Sequence, residues 1–253
     1  MDDPGEFFDP LAPLYDAHVA DDQGESLNDD VVFYRDLASE VSGPALELGV
    51  GTGRIYLELL DAGIDADGID LSEEMISVLW ETAADRNLNP SVRVGDVTDF
   101  DAERQYELIY APNRMFNHLA TVSDQRKALQ NIHRALAPGG KFVLNTFVPR
   151  FETVVETYGD PMEDVTVVGD DTYRVVVTPS LEDEVEQLAR LHRELFRNGE
   201  LIAERDTPLA LIPKRQFELL FELAGFDSWQ VYGGFDRAPL ESSDQEMVWM
   251  VQK

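Results

Sequence analysis

The sequence predicts an α/β protein, a mostly parallel sheet with crossover helices that carries an inserted antiparallel sheet. Three observations predict it. From Pro44 to Pro149, short apolar runs alternate with helix-period segments, the pattern of βαβ units with right-handed crossovers. Glycines crowd the first strand-to-helix turn, in "ALELGVGTGRI". Beyond Pro149, period-two stretches rich in β-branched residues replace the alternation until about residue 212.

Taken in order, residues 1–40 read as an arm or lid followed by a helix. The arm is polar with aromatic islands at Phe7, Phe8 and Tyr15. "SLNDDVVFYRDLASEV" places Val31, Tyr34, Leu37, Ala38 and Val41 at helical spacing, with Asn28 or Asp29 as N-cap. Residues 41–150 hold the alternation. "ALELGV" is a strand and "RIYLELLDAG" a short helix ending at Gly63. "IDADGID" is a second strand, and "SEEMISVLWETAADR" a helix capped by Ser72 with two acids in its first turn. "VRVGD" and "YELIYA" are strands, "SDQRKALQNIHRAL" is a helix stopped by "APGG", and "KFVLNTFV" is the fifth strand. Residues 151–212 are the antiparallel insertion, with "VTVVGDDTYRVVVTP", "EQLARLHRELF" and "ELIAERDTPLALI" strand-like and Asn198-Gly199 as a hairpin turn between the last two. Residues 213–253 supply a helix ending at Gly225 and two closing strands, "DSWQVYG" and "EMVWMVQK".

Composition bounds the function. The chain has 253 residues, 43% hydrophobic, with no apolar run long enough to cross a bilayer and no signal-peptide pattern, so a cytoplasmic protein is expected. No cysteine means no disulfide framework and no thiolate metal site. Asp and Glu number 50 against 20 Lys and Arg, a formal net charge of -30. Such a chain repels nucleic acid and anionic membranes. Its acids are dispersed and lysine is scarce, a surface like that of proteins from salt-accumulating halophiles.

The glycine turn asks for a ligand. Glycines there let a ligand approach the backbone and bare N–H groups face it at a helix N-terminus. A dinucleotide fingerprint, G-x-G-x-x-G, aligned on Gly49 and Gly51 would put its third glycine where Arg54 stands. Instead Glu47 is followed by Gly49, Gly51 and Gly53 at alternate positions. Asp70 ends the second strand in "GIDLSEEM", and Asp96 follows the third in "VGDVTDF".

In "ELGVGTG", and in the ordered acids after it, the chain resembles the class I S-adenosylmethionine-dependent methyltransferases. The resemblance implies a seven-stranded Rossmann-like sheet with its last strand antiparallel. It implies S-adenosylmethionine as cofactor, with Gly49, Gly51 and Gly53 beneath its methionine part. Asp70 would accept the ribose hydroxyls, Asp96 the adenine amino group, and the Val97 N–H would meet a ring nitrogen. Leu71 and Met75 are either an apolar face for adenine or simply core. Arg54 meets the cofactor's carboxylate or neutralises nearby acids. Glu47 orients the glycine loop or is a solvated strand-end acid.

The acceptor would sit outside the strands' carboxyl ends, near "APNRMFNHL". Asn113, Asn117 and His118 are the polar candidates there. His118 is either a base toward an amine or hydroxyl or a hydrogen-bonded loop residue. Tyr15, in the arm segment "PLYDAH", which resembles the family's aromatic lid, covers the sulfonium or lines the acceptor pocket, or else anchors the arm to the core. Arg114, His18, His133 and His192 show no metal-ligand spacing, and no metal is assigned. The expected reaction is methyl transfer to a nitrogen or oxygen of a small molecule by in-line displacement. The insertion resembles that of amino-sugar and glycine methyltransferases, where it roofs the site or forms a subunit contact, so a homodimer through it is expected. A nicotinamide-dependent oxidoreductase and a non-catalytic cofactor-binding regulator are the competing readings.

Overall fold

The computed structural model describes residues 26–253. Helix α1 (Ser26–Glu40) leads into β1 (Ala45–Leu48), α2 (Tyr56–Asp61), β2 (Ala66–Asp70), α3 (Glu73–Asp85), β3 (Ser91–Val94) and β4 (Tyr106–Ala111). A 3-10 turn (Met115–His118), α4 (Val122–Ala135), β5 (Leu136–Phe147) and α5 (Phe151–Thr157) follow. The second sheet comprises β6 (Met162–Val168), β7 (Asp171–Asp183), β8 (Leu188–Arg197) and β9 (Glu200–Ala210). Helix α6 (Lys214–Ala224), β10 (Ser228–Tyr232) and β11 (Glu246–Gln252) complete the order.

The main sheet has seven strands in the order β10-β11-β5-β4-β1-β2-β3. Strands β1 to β5 pair in parallel, while β11 runs antiparallel to both β5 and β10. Helices cover both faces, which is why β1 is buried at all four positions and its sequence is a run, not an alternation. Two apolar clusters result. One gathers Ile109, Phe142, Phe217 and Trp249, and the other gathers Tyr34, Tyr56, Leu59 and Tyr110.

Local chemistry sets the boundaries. Ser72 caps α3, its hydroxyl accepting from the Met75 N–H at 3.1 Å, and buried Met75, Ile76, Leu79 and Ala83 mark the inward face. Gly225 ends α6 at φ +88. The four-stranded sheet is antiparallel throughout, and Asn198 and Gly199, at φ +53 and +86, make its β8–β9 turn.

Four details depart from the sequence reading. Helix α1 begins at Ser26, so Asn28 and Asp29 fall inside its first turn and not at the cap. "VTVVGDDTYRVVVTP" is two strands, because Gly169 at φ +62 allows a reversal that pairs Val168 with Asp171. Strand β5 starts at Leu136, ahead of the glycines, through a register shift against Tyr106 and Leu108. Gly140 permits it: a Cβ there would lie 3.0 Å from the carbonyl oxygens of Ala137 and Tyr106. The short helix α5 inside the insertion has no sequence signal comparable to its neighbours, being half β-branched. Among the described residues no helix is long and apolar enough to cross a membrane.

Candidate active site

The turns leaving β1, β2, β3 and β4 share one edge of the sheet, and Gly49, Gly51, Gly53, Asp70, Asp96 and Asn113 stand on them. Gly49, Gly51 and Gly53 hold φ of +73, +54 and +88, a succession open only to glycine without strain. Their reasons differ. A Cβ on Gly49 would stand 2.6 Å from Met115 Cγ, and one on Gly53 would stand 2.8 Å from Leu79 Cγ. A Cβ on Gly51 would meet nothing within 4 Å. Gly49 and Gly53 are therefore packing glycines, and Gly51 is the one that faces open space.

Asp70 holds this turn. Its Oδ2 accepts from the Gly51 N–H at 2.7 Å and its Oδ1 from the Ser72 N–H at 2.9 Å, with a further bond from the Leu71 N–H. Burial pushes its carboxyl above the usual range, against the pull of those three amides. A carboxylate offers about four lone-pair sites, so a hydroxyl pair can share this acceptor. Leu71, 41% exposed, keeps apolar surface on the rim, whereas Met75 at 4% packs inward as core. Asp96 is exposed after β3 and accepts from the Thr98 N–H at 2.7 Å through one oxygen. The Val97 carbonyl takes the Asn131 amide at 3.2 Å, tying this turn to α4. An open glycine surface beside an acceptor-only carboxylate, with an exposed apolar side chain and a second acid, fits an adenosyl group.

Two residues have partners that the sequence did not point to. Arg54 forms a two-pronged pair with Asp30 of α1, at 2.9 and 2.5 Å, and Asp30 is 3% exposed. The pair neutralises an acid and ties α1 to the glycine turn. Glu47, 2% exposed, accepts from the Tyr110 hydroxyl at 2.7 Å. Burial pushes its carboxyl up to about 8, partly offset by that bond. Neither Asp30 nor Tyr110 could be told apart beforehand from other acids and strand aromatics, because both contacts cross long stretches of chain.

The segment after β4 is backbone-strained. Asn113 and Arg114 both take left-handed conformations, at φ +50 and +58. The Asn113 N–H donates to Asn145 Oδ1 at 3.0 Å. Asn117, a candidate for chemistry, is fully buried with both ends of its amide engaged. Its Oδ1 accepts from the Thr146 hydroxyl at 2.5 Å and its Nδ2 donates to the Ala210 carbonyl at 2.8 Å. It fastens the second sheet to the first, which takes it out of reach of an acceptor. His118 lies under that second sheet. Burial first, then the charge of Arg193 on β8, pushes its imidazole down to about 4. Tyr15 and the arm lie outside the described residues.

Beside this segment a cavity of about 260 Å³ opens between the ends of β5 and β11 and helix α5. Arg114, Phe147, Arg150, Tyr158, Asp244 and Glu246 are among its walls. Among the described residues no group of three His, Asp or Glu could hold a metal ion.

Comparison with known proteins agrees with this geometry. A family model described as "Methyltransferase domain" matches residues 45–140, the glycine turn through the start of β5. An uncharacterised methyltransferase of Bacillus cytotoxicus is 31% identical over 160 residues, 59% of this chain and 72% of the relative. One from Staphylococcus carnosus is 30% identical over 143 residues, and the match spans 55% of this chain and 65% of that protein. Among solved structures, the CcbJ methyltransferase from Streptomyces caelestis has a TM-score of 0.80 at 24% identity, covering 99% of this chain and 98% of that one. CalS10, an amino pentose methyltransferase from Micromonospora echinaspora, has a TM-score of 0.69 at 20% identity, covering 94% and 96%. At these identities the structures establish the fold, including the second sheet. With the family match and a relative at 31% identity of which the chain covers 72%, the chain belongs to the methyltransferase family.

Proposed function

We propose that the protein transfers a methyl group from S-adenosylmethionine to a nitrogen or oxygen of a small-molecule acceptor, an amino sugar being the class we favour. The observation that carries the reading is the Gly51–Asp70 contact, a bare glycine surface bonded to the acid that would take the ribose. The likeness to a protein named as an amino pentose methyltransferase supports the acceptor class. When bound, the cofactor supplies a sulfonium methyl group for in-line displacement, and the protein's work is alignment and exclusion of water.

This chain's residues divide that work. Asp70 accepts hydroxyls and keeps Gly51 in place. Leu71 offers apolar contact, and Asp96 has an oxygen beyond its own turn for an amino group. His118, pushed down to about 4, is neutral at physiological pH. A ring so easily deprotonated retains a transferred proton poorly, so an amine would enter already deprotonated and the proton released after methylation would leave to water. A twofold contact through the second sheet is also proposed, because β6 is an edge strand that exposes Met162, Val165 and Val167. A sedimentation mass equal to one chain would remove it.

Titration with S-adenosylmethionine, S-adenosylhomocysteine and NAD, followed by labelled methyl transfer to amino sugars and small amines, tests the function. Binding of the first two and labelled product are expected. NAD binding without them overturns the cofactor reading. Cofactor binding with no product across the amino sugars removes the acceptor class.

A further inference from the structure

We propose that Asn145 is a positioning residue for the acceptor side of the site, holding the strained Asn113–Arg114 turn to the cavity wall at Glu246. This rests on the methyltransferase reading for its role, though the geometry stands by itself. Asn145 is 5% exposed near the end of β5. Its amide oxygen accepts twice, from the Asn113 N–H at 3.0 Å and from the Tyr34 hydroxyl at 2.9 Å. Its amide nitrogen donates to Glu246 Oε1 at 2.9 Å. Glu246, the first residue of β11, in turn receives Arg114 on both oxygens, Nε at 3.0 Å and an Nη at 2.8 Å. The loop therefore closes: Asn113 is held from its backbone, Arg114 from its side chain, and one amide links the two holds.

Such a closed loop explains how two successive non-glycine residues persist in left-handed backbone, a conformation that needs its surroundings to over-determine it. It also reaches the cavity beside the turn, since Arg114 and Glu246 both line it and Arg114 lies over the Phe147 ring, 5.6 Å from its centre. Asparagine is the only common side chain of its size that can accept on one edge and donate on the other. Aspartate would face Glu246 with a second carboxylate; leucine would leave the Asn113 and Tyr34 donors without acceptors.

Charge makes the test reciprocal. In the native group Arg114 and Glu246 balance and Asn145 is neutral. Asn145→Asp adds a negative charge, Glu246→Gln removes one, and the double variant restores the charge balance and the bond between positions 145 and 246, with the new amide donating to the new carboxylate, while Arg114 keeps one of its two bonds to position 246. Four proteins are compared: native, each single variant and the double. Trypsin cleavage after Arg114, followed by mass spectrometry, reads the turn without any ligand. S-adenosylhomocysteine affinity reads the cofactor side, and kcat and KM on a methylated acceptor read the chemistry. Cleavage at Arg114 at least tenfold faster in the single variants, and at least threefold slower in the double than in either single, is expected. Cofactor affinity should stay within threefold throughout, while kcat falls at least tenfold in the singles and recovers in the double. Single variants cut no faster than native, or a double cut as fast as the singles, overturn the proposal. Failure of native protein to bind S-adenosylhomocysteine sinks the cofactor reading, while the cleavage comparison still decides the clamp.

Discussion

At the scale of single residues, Asp70 carries two duties, and removing it should show both. Two hydrogen bonds to an ionised acceptor are worth about 1.5–3 kcal/mol each, and water recovers part of that. Asp70→Ala should therefore cost roughly 2–4 kcal/mol of S-adenosylhomocysteine binding, about thirtyfold to nearly a thousandfold. Calorimetry at fixed high salt checks it, and folded protein that binds within threefold of native removes Asp70 from the ribose. Glu47 gives a second prediction. Its folded carboxyl is raised to about 8 from 4.5, so its contribution to stability is full below the unfolded value. That contribution is lost as pH rises toward about 8, because the unfolded chain has released the proton that the folded state still holds. Glu47→Gln should flatten this fall in melting temperature between pH 5 and 8; an unchanged pH profile would show that Glu47 is already ionised at pH 5. Asp70 was legible from the sequence because its place after a strand and its spacing from the glycines repeat a known arrangement. Its bond to Gly51 was not, and neither were Asp30, Tyr110 and Asn145, whose roles arise only when elements apart in the chain meet. Asn117 misled for a related reason: its type suggested chemistry, but burial beneath the second sheet cannot be read from type.

At the scale of elements, the glycine turn separates binding from folding. Gly51→Ala adds a methyl group to open space at φ +54, so it should cost only the left-handed backbone penalty, about 1–2 kcal/mol of stability. Its loss should fall on cofactor affinity, where the methyl group would intrude. Gly53→Ala adds the same backbone penalty to contacts of 2.8 and 2.9 Å with Leu79, for roughly 2–4 kcal/mol of stability. Melting curves and calorimetry on both variants check the contrast; equal stability losses would mean that Gly51 also packs. The strands of the main sheet were legible as apolar runs, and Asn198-Gly199 announced its hairpin. The β5 start was not, because proline and glycines usually end pairing and here occupy an irregular stretch of it.

At the scale of the molecule, the net charge of -30 should make stability depend on salt. The Debye length grows from about 8 Å at 0.15 M to roughly 30 Å at 0.01 M, so repulsion between dispersed acids reaches much farther in dilute buffer. The melting temperature should rise with potassium chloride over that range and beyond. A flat or falling series would show that the acids are locally paired, and with it the halophile-like reading of the surface would go.

The strand order has a bearing on how this chain finds its fold. Strand β11 lies between β5 and β10, yet Asn145 and its partner Glu246 stand 101 residues apart, with the whole second sheet between them. Its own pairings are of hairpin range, β6 to β7 to β8 to β9, and need little loop closure. The second sheet should therefore assemble while the main sheet still lacks an inner strand, with Phe142 and Leu144 waiting for Val251 and Trp249. Trp249, fully buried, is a built-in reporter of that last step. Its fluorescence should change in the slowest refolding phase, after hairpin amides are already protected from exchange, and simultaneous signals would mean that both sheets form as one cooperative unit.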